Sequence, residues 1–262
     1  MKSKSRKAIL SAALAAICAL SLVLSGGCTM EAEAKSAEGK TVIVLDPGHG
    51  GAELGAVKPP FAEGVMTLYL AQQIQAYLAN YDNVEVCLTR TGDTELSLKD
   101  RVDYAKSVNA DFFVCLHFNA SGSIPNKYGS EVYVSIDPTL FPREAFFAQT
   151  ELNELHALGL NVRGIKYRVG ENGDYYGITR RATAYGMESA LIEHCFLDSA
   201  PDRAFLGNGD PTAMLFSLQT LAFADADAIA KHLQLSSSIT GVNYTGYVEP
   251  AITWPILPYT DD

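Results

Sequence analysis

The stretch Thr41-Val42-Ile43-Val44-Leu45, halted by Asp46-Pro47-Gly48-His49-Gly50-Gly51, limits the folds open to this chain more than any other feature. A continuous apolar, β-branched run fits a strand covered on both faces, and the Pro and Gly behind it end it in a tight loop. Similar runs follow at residues 84–88, 112–116 and 190–192. Between them, Val65, Leu68, Ala71, Ile74 and Leu78 fall near helical spacing. Leu98, Val102 and Ala105 form a second apolar stripe behind Ser97, with Asp100 three residues on, a helix start with its capping residues. Strands alternating with helices predict an α/β fold: a mainly parallel, mixed, twisted sheet with helices on both faces, in a single domain. Residues 130–136 read as a further strand at an edge, and residues 142–160 and 211–235 as two more helices with Pro near their first turns. The chain's 262 residues, 48% of them hydrophobic, suffice for one sizeable core.

The N-terminus sets the compartment. Lys2, Lys4, Arg6 and Lys7 precede an uncharged run, residues 8–24, that ends at Ser25-Gly26-Gly27-Cys28, the layout of a secretory signal. The run is shorter than the ~20 residues a membrane span needs. Residues 1–28 are therefore expected to be a signal peptide, 29–40 a tether, 41–235 the folded domain, and 236–262 a Pro- and Tyr-containing tail too short for a core of its own. Leu24-Ser25-Gly26-Gly27-Cys28 resembles a lipobox, with Cys28 as the lipidated first residue, although Leu24 stands one position further from the Cys than that pattern prefers. Cleavage after Ala32-Glu33-Ala34 competes with it. Either route places the mature chain outside the cytoplasm, in the cell envelope, touching membrane only through its signal peptide or lipid anchor.

Composition excludes other classes. The formal charge is −10, and loss of residues 1–27 removes four of the 20 basic residues and none of the 30 acidic ones. Nucleic acid is excluded as a partner, since phosphate binding needs clustered Lys and Arg. Cys87, Cys115 and Cys195 sit in apolar runs and read as small buried hydrophobes, an odd count that closes no disulfide framework.

Ligands of open α/β sheets bind beyond the carboxyl ends of the strands. His49 follows the first apolar run, His117 follows residues 112–116, Glu193 follows residues 190–192, and Glu63 stands at the entry to a helix. His, His and Glu with an open fourth position is an accepted hydrolytic zinc set. Spacings of 14 and 54 residues form no local metal motif, so rim imidazoles bonded to backbone and a helix N-terminal carboxylate remain an alternative account of the same residues.

The motifs, taken together, resemble the zinc-dependent N-acetylmuramoyl-L-alanine amidases of the amidase_3 type. They are Val44-Leu45-Asp46-Pro47-Gly48-His49-Gly50-Gly51, Glu63 with Leu68 and Ala71, Leu88-Thr89-Arg90-Thr91 with Leu98 and Arg101, Leu116-His117-Phe118-Asn119, and Leu191-Ile192-Glu193-His194-Cys195-Phe196. The resemblance covers residues 41–235 and implies a zinc amidase catalytic domain there. It implies one Zn2+ per chain on His49, Glu63 and His117, and Glu193 as the catalytic carboxylate. The implied substrate is the peptidoglycan glycan strand with its stem peptide, cut between N-acetylmuramic acid and L-alanine by a monomeric enzyme, with any regulatory partner unidentified. The alternatives are a zinc amidase or peptidase acting on another exported substrate and a non-catalytic wall-binding protein of the same fold.

The chain also departs from that family. Gly64-Val65-Met66-Thr67 stands where Lys-Asp-x-Asn is usual, which leaves Glu53 as a fallback ligand. Residues 169–181, with Asp174-Tyr175-Tyr176 and Arg180-Arg181, are unlike the commonest members and are expected to line the substrate groove, Arg181 being a substrate-binding candidate. Asn119 and Arg90 are further candidates for holding substrate, the latter in bidentate fashion on carboxylates. Arg101 reads equally as a structural ion-pair partner. Asp46 is a candidate to orient His49 or to fix its loop. Tyr175, Tyr176 and Tyr185 are candidate ring contacts for sugar. His156 and His232 read as helix residues with no part in the chemistry, and His194, next to Glu193, should face the opposite side of the sheet.

Overall fold

A computed structural model describes residues 39–122 and 127–259. The signal peptide, Cys28, nearly all of the tether and the last three residues of the tail lie outside them. In chain order the elements are β1 (Thr41–Pro47), β2 (Val57–Lys58), β3 (Phe61–Ala62), α1 (Glu63–Leu78), β4 (Val84–Leu88), α2 (Leu98–Ser107), β5 (Phe112–Asn119) and β6 (Ser130–Tyr133). There follow α3 (Phe141–Ala157), β7 (Val162–Tyr167), β8 (Val169–Gly170), β9 (Gly173–Asp174), α4 (Gly177–Ala184), β10 (Ser189–Phe196), α5 (Ala200–Phe205), α6 (Pro211–His232) and β11 (Ile256–Pro258).

Seven strands form one sheet in the order β11-β7-β6-β10-β5-β1-β4. Every pairing is parallel except β10 with β6, so four strands run one way and three the other. The runs read as doubly covered strands are the middle of this sheet. Residues 42–45 of β1 and 112–116 of β5 are all 2% exposed or less, which is why their sequences show no polar alternation.

Side-chain parity then sorts the core. Ile43, Leu45, Phe112, Val114, Leu116 and Ile192 face a cluster with α1, α3 and α6, while Val44, Phe113, Cys115 and Leu191 face a smaller one with α2 and α4. Successive strand residues alternate faces, so His117 and Glu193 belong to the α2/α4 face and His194 to the other. Cys87, Cys115 and Cys195 are buried, as expected, and among the described residues none of them forms a disulfide.

One expectation needs correction. Residues 130–136 do not make an edge: β6 lies between β10 and β7. The sequence hides its neighbours, because β7 carries Arg163 and Lys166 within six residues, and β11 comes from the tail. That tail packs on the domain. Gln149 Oε1 accepts from the backbone N–H of Thr253 and Trp254, and the Trp254 indole donates to Asn153 Oδ1, so β11 can extend the sheet beside β7.

Candidate active site

The loop after β1 is held by arginines. His49 has φ 64°, a left-handed backbone that favours glycine, followed by Gly50 and Gly51, also at positive φ. Such a turn persists only if its surroundings over-determine it. Arg101 donates to Asp46 Oδ1 and to the Pro47 and His49 carbonyls at 2.8–2.9 Å. Arg90 donates to the carbonyls of Pro47, Gly48, Gly64 and Gly92 at 2.7–3.0 Å. Arg90 is 2% exposed, and burial together with the charge of Arg101 pushes its pKa down to about 10. Arg90 is thus committed to the protein and does not reach substrate. Asp46 is likewise a loop anchor, accepting from Thr89 Oγ1 and Arg101 rather than from the His49 ring.

The three expected metal ligands come together. Glu63 opens α1 and is 3% exposed; its Oε1 lies 3.1 Å from His49 Nε2 and 3.0 Å from His117 Nδ1. The carboxylate is aimed by the backbone N–H of Phe118 on Oε1 and of Ala56 on Oε2. Burial would raise its pKa, but hydrogen bonds and charge from His117 and His49 outweigh burial and hold it well below the usual carboxylate range. The two imidazoles meet edge to face, centroids 4.9 Å apart. Glycine is required beside them. A Cβ at Gly48 would stand 2.3 Å from the His117 ring, and one at Gly55 would stand 2.5 Å from both Glu63 Oε2 and His49.

Glu53, the fallback ligand, lies on the outer side of His49. Its carboxylate touches Nδ1 while its side chain is 59% exposed. With Nδ1–H directed to Glu53, the Nε2 lone pair faces inward, as a ligating imidazole requires. Thr67, in the stretch that departs from the family, donates to the Gly48 carbonyl and so ties α1 to the loop.

Glu193 pairs in register with His117 on one side and Glu131 on the other. Its Oε2 is sealed from solvent and has no hydrogen-bond partner among the described residues. Burial, then the charges of Glu63 and Glu131, push its pKa well above the ordinary value. Glu131 escaped the sequence reading because its strand was placed at an edge. It accepts from Asn119 Nδ2, Tyr133 Oη and Arg163 Nε, so Asn119 is fixed in the cavity wall.

Two cavities of about 300 and 320 Å³ share His49, His117, Leu98 and Ile178. The first extends over Glu53, Glu95 and Ser97, and the second over Glu63, Asn119, Tyr176 and Glu193. Of residues 169–181, therefore, the stretch Tyr176-Gly177-Ile178 lines the groove. Arg181 is exposed and lies outside both linings. Tyr175 stacks under Arg168 and Tyr185 bonds Asp103, so neither ring faces the site. His194 turns away beneath the sheet, as parity requires.

A mixed α/β sheet with His49, His117 and Glu193 along the carboxyl-end rim of β1, β5 and β10 and Glu63 beside them at the start of α1, over an open groove, has the layout of a hydrolase centre with a candidate metal site. Comparison with known proteins agrees. The family described as Amidase_3, N-acetylmuramoyl-L-alanine amidase, matches residues 43–218. The chain is 30% identical over 197 residues to the N-acetylmuramoyl-L-alanine amidase CwlM of Bacillus licheniformis, covering 75% of this chain and 70% of that one. Among solved structures it is similar to the catalytic domain of the N-acetylmuramoyl-L-alanine amidase CwlV of Bacillus (Paenibacillus) polymyxa var. colistinus, with 30% identity, TM-score 0.62, and coverage of 75% of this chain and 99% of that one. The corresponding values for the N-acetylmuramoyl-L-alanine amidase AmiC2 of Nostoc punctiforme are 27%, 0.62, 76% and 99%. The chain belongs to the Amidase_3 family of N-acetylmuramoyl-L-alanine amidases, and its substrate class is peptidoglycan.

Proposed function

We propose that His49, Glu63 and His117 hold one zinc ion and that Glu193 is the proton carrier in hydrolysis of the amide between the lactyl group of N-acetylmuramic acid and L-alanine. The observation that carries the reading is the convergence of His49 Nε2, His117 Nδ1 and Glu63 Oε1 beside the unpartnered Glu193 Oε2. The donor set fits zinc: two imidazoles and one carboxylate, all aimed at one point. Bound there, zinc would polarise the scissile carbonyl and activate water.

The protein's own residues supply the rest. Glu193, with an elevated pKa, is suited to accept a proton from the attacking water and return it to the leaving amine of L-alanine. Glu53 holds the His49 tautomer and the phenylalanine N–H at position 118 holds Glu63, so the ligands are set before substrate arrives. Asn119 and Tyr176 line the lobe that contains Glu193 and are the side chains placed to bind substrate. We further infer export to the cell envelope, as a lipoprotein on Cys28 or a secreted chain, and a monomeric enzyme.

The test is release of amino-terminal L-alanine from purified peptidoglycan, with and without chelator, beside Glu193→Ala. Chelator-sensitive release that disappears in the variant is the expected result. Zinc binding without release of alanine ends would sink the substrate assignment, and release untouched by chelator would sink the metal.

A further inference from the structure

On the sheet face opposite the catalytic cluster, three ionisable side chains meet in full burial. His194 follows Glu193 in β10 and points the other way; Glu151 comes from α3 and Asp225 from α6. Each is 0% exposed, and one donor atom from each lies within 4.8 Å of the others. His194 Nδ1 is 2.9 Å from the His117 carbonyl oxygen, so Nδ1 carries a proton and donates it. Nε2 faces Asp225 Oδ2 at 2.9 Å. With Nδ1 already protonated, Nε2 and the carboxylate are two acceptors in contact, and something positive must stand between them or on the ring.

The remaining oxygens repeat the demand. Among the described residues neither Glu151 oxygen has a hydrogen-bond partner, and neither does Asp225 Oδ1, although all are sealed from solvent. Buried ionised carboxylates are tolerated when they are paired or coordinate a metal. Two carboxylates and a neutral imidazole carry a charge of −2, which a single divalent cation cancels.

We propose that Glu151, His194 and Asp225 form a second metal site, closed and structural, that takes one divalent transition ion such as zinc. The donor types are those of the catalytic cluster, where carboxylate and imidazole stand at a similar 3.0–3.1 Å. Its imidazole also makes the outer hydrogen bond to a carbonyl that ligating histidines usually make. Here that carbonyl belongs to His117. The second ion would therefore tie α3 and α6 to β10 and brace, through one hydrogen bond, the backbone of a catalytic imidazole. The proposal does not depend on the catalytic zinc and is tested with that site removed.

The experiment counts metal in the full chain by mass spectrometry after dialysis against a chelator, in wild type, in His49→Ala/Glu63→Gln, and in the latter with Asp225→Asn added. The expected result is one tightly held equivalent per chain in His49→Ala/Glu63→Gln, lost on adding Asp225→Asn. X-ray absorption of that retained ion should show one imidazole and carboxylate oxygens, a readout that stands even if the Asp225 variant does not fold. No metal in His49→Ala/Glu63→Gln would overturn the proposal and assign the compensating charge to two protons. A retained ion with thiolate ligands, or one indifferent to a folded Asp225→Asn variant, would overturn it as well.

Discussion

Glu193 and His194 are neighbours in β10, yet one faces an open groove and the other a sealed interior. The groove face is covered by α2 and by the eight-residue α4, which leave His49 and His117 side chains 21% and 19% exposed. The opposite face is covered by α1, α3 and the 22-residue α6, and Glu151, His194 and Asp225 are fully buried. The residue types in the two clusters are nearly the same. Access for substrate separates them, so the first can do chemistry and the second can only brace.

The sharpest way to break that contrast is to alter each neighbour in turn. Glu193→Gln keeps the volume of the side chain and removes its ability to move a proton. It should cut amidase turnover by about 10²–10⁴-fold, while metal content and thermal midpoint stay at wild-type values. An active Glu193→Gln enzyme would remove Glu193 from the reaction. His194→Leu should do the reverse. It leaves Asp225 and Glu151 uncompensated in an apolar interior and is expected to cost about 3–5 kcal/mol of stability, read by chemical unfolding, with substrate affinity in the surviving folded fraction preserved. A variant as stable as wild type would show that the buried cluster holds nothing together.

Much of this contrast was legible in the chain. His49, His117 and Glu193 each follow an apolar run, and in a sheet of this kind that position is the carboxyl rim. Parity alone put His194 on the far side. Glu63 needed the register of Leu68 and Ala71, and the structure adds that Gly48 and Gly55 leave room for the side chains that meet there. Arg90 was misread for a physical reason. A basic residue after a strand looks the same whether it grips substrate or the protein's own carbonyls, and only burial at 2% exposure separates the two. Glu131 and the order of β6, β7 and β11 were invisible, because pairing between distant segments leaves no local period, and the charged residues in β7 mask its buried face.

A subtler difference lies within the open cluster, between its inner and outer carboxylates. Glu63 is buried and faces both imidazoles; Glu53 is exposed and, of the two imidazoles, touches that of His49 through Nδ1. If Glu53 sets the tautomer rather than binding the ion, Glu53→Gln should weaken zinc by about 10–100-fold. Glu63→Gln should abolish high-affinity binding in the same competition titration. Equal losses would mean that Glu53 is itself a ligand.

The smallest expected effect concerns the tail. His232, at the end of α6, contacts Glu249 of the tail through Nδ1 and Glu188 through Nε2; Arg143 also pairs with Glu188, and the rings of Phe112 and Phe147 pack on the imidazole. Burial alone would lower the His232 pKa, but bonds and charge from Glu188 and Glu249 outweigh it and raise the pKa above 6.5. A histidine raised in the folded state contributes stability that is fully present below its unfolded pKa, near 6.5, and is lost as pH rises through the folded value. Unlike the sealed His194, this imidazole closes over a segment, residues 233–255, that leads to β11. Wild type should therefore lose more unfolding free energy than His232→Gln between pH 6 and pH 9, the difference between the two curves removing every other titrating group. Proteolysis of the tail should accelerate over the same range in wild type and start fast in the variant. Parallel stability curves would mean that the two carboxylates do not hold the imidazolium, and that the tail is fastened by its other contacts, those of Gln149, Trp254 and β11 among them.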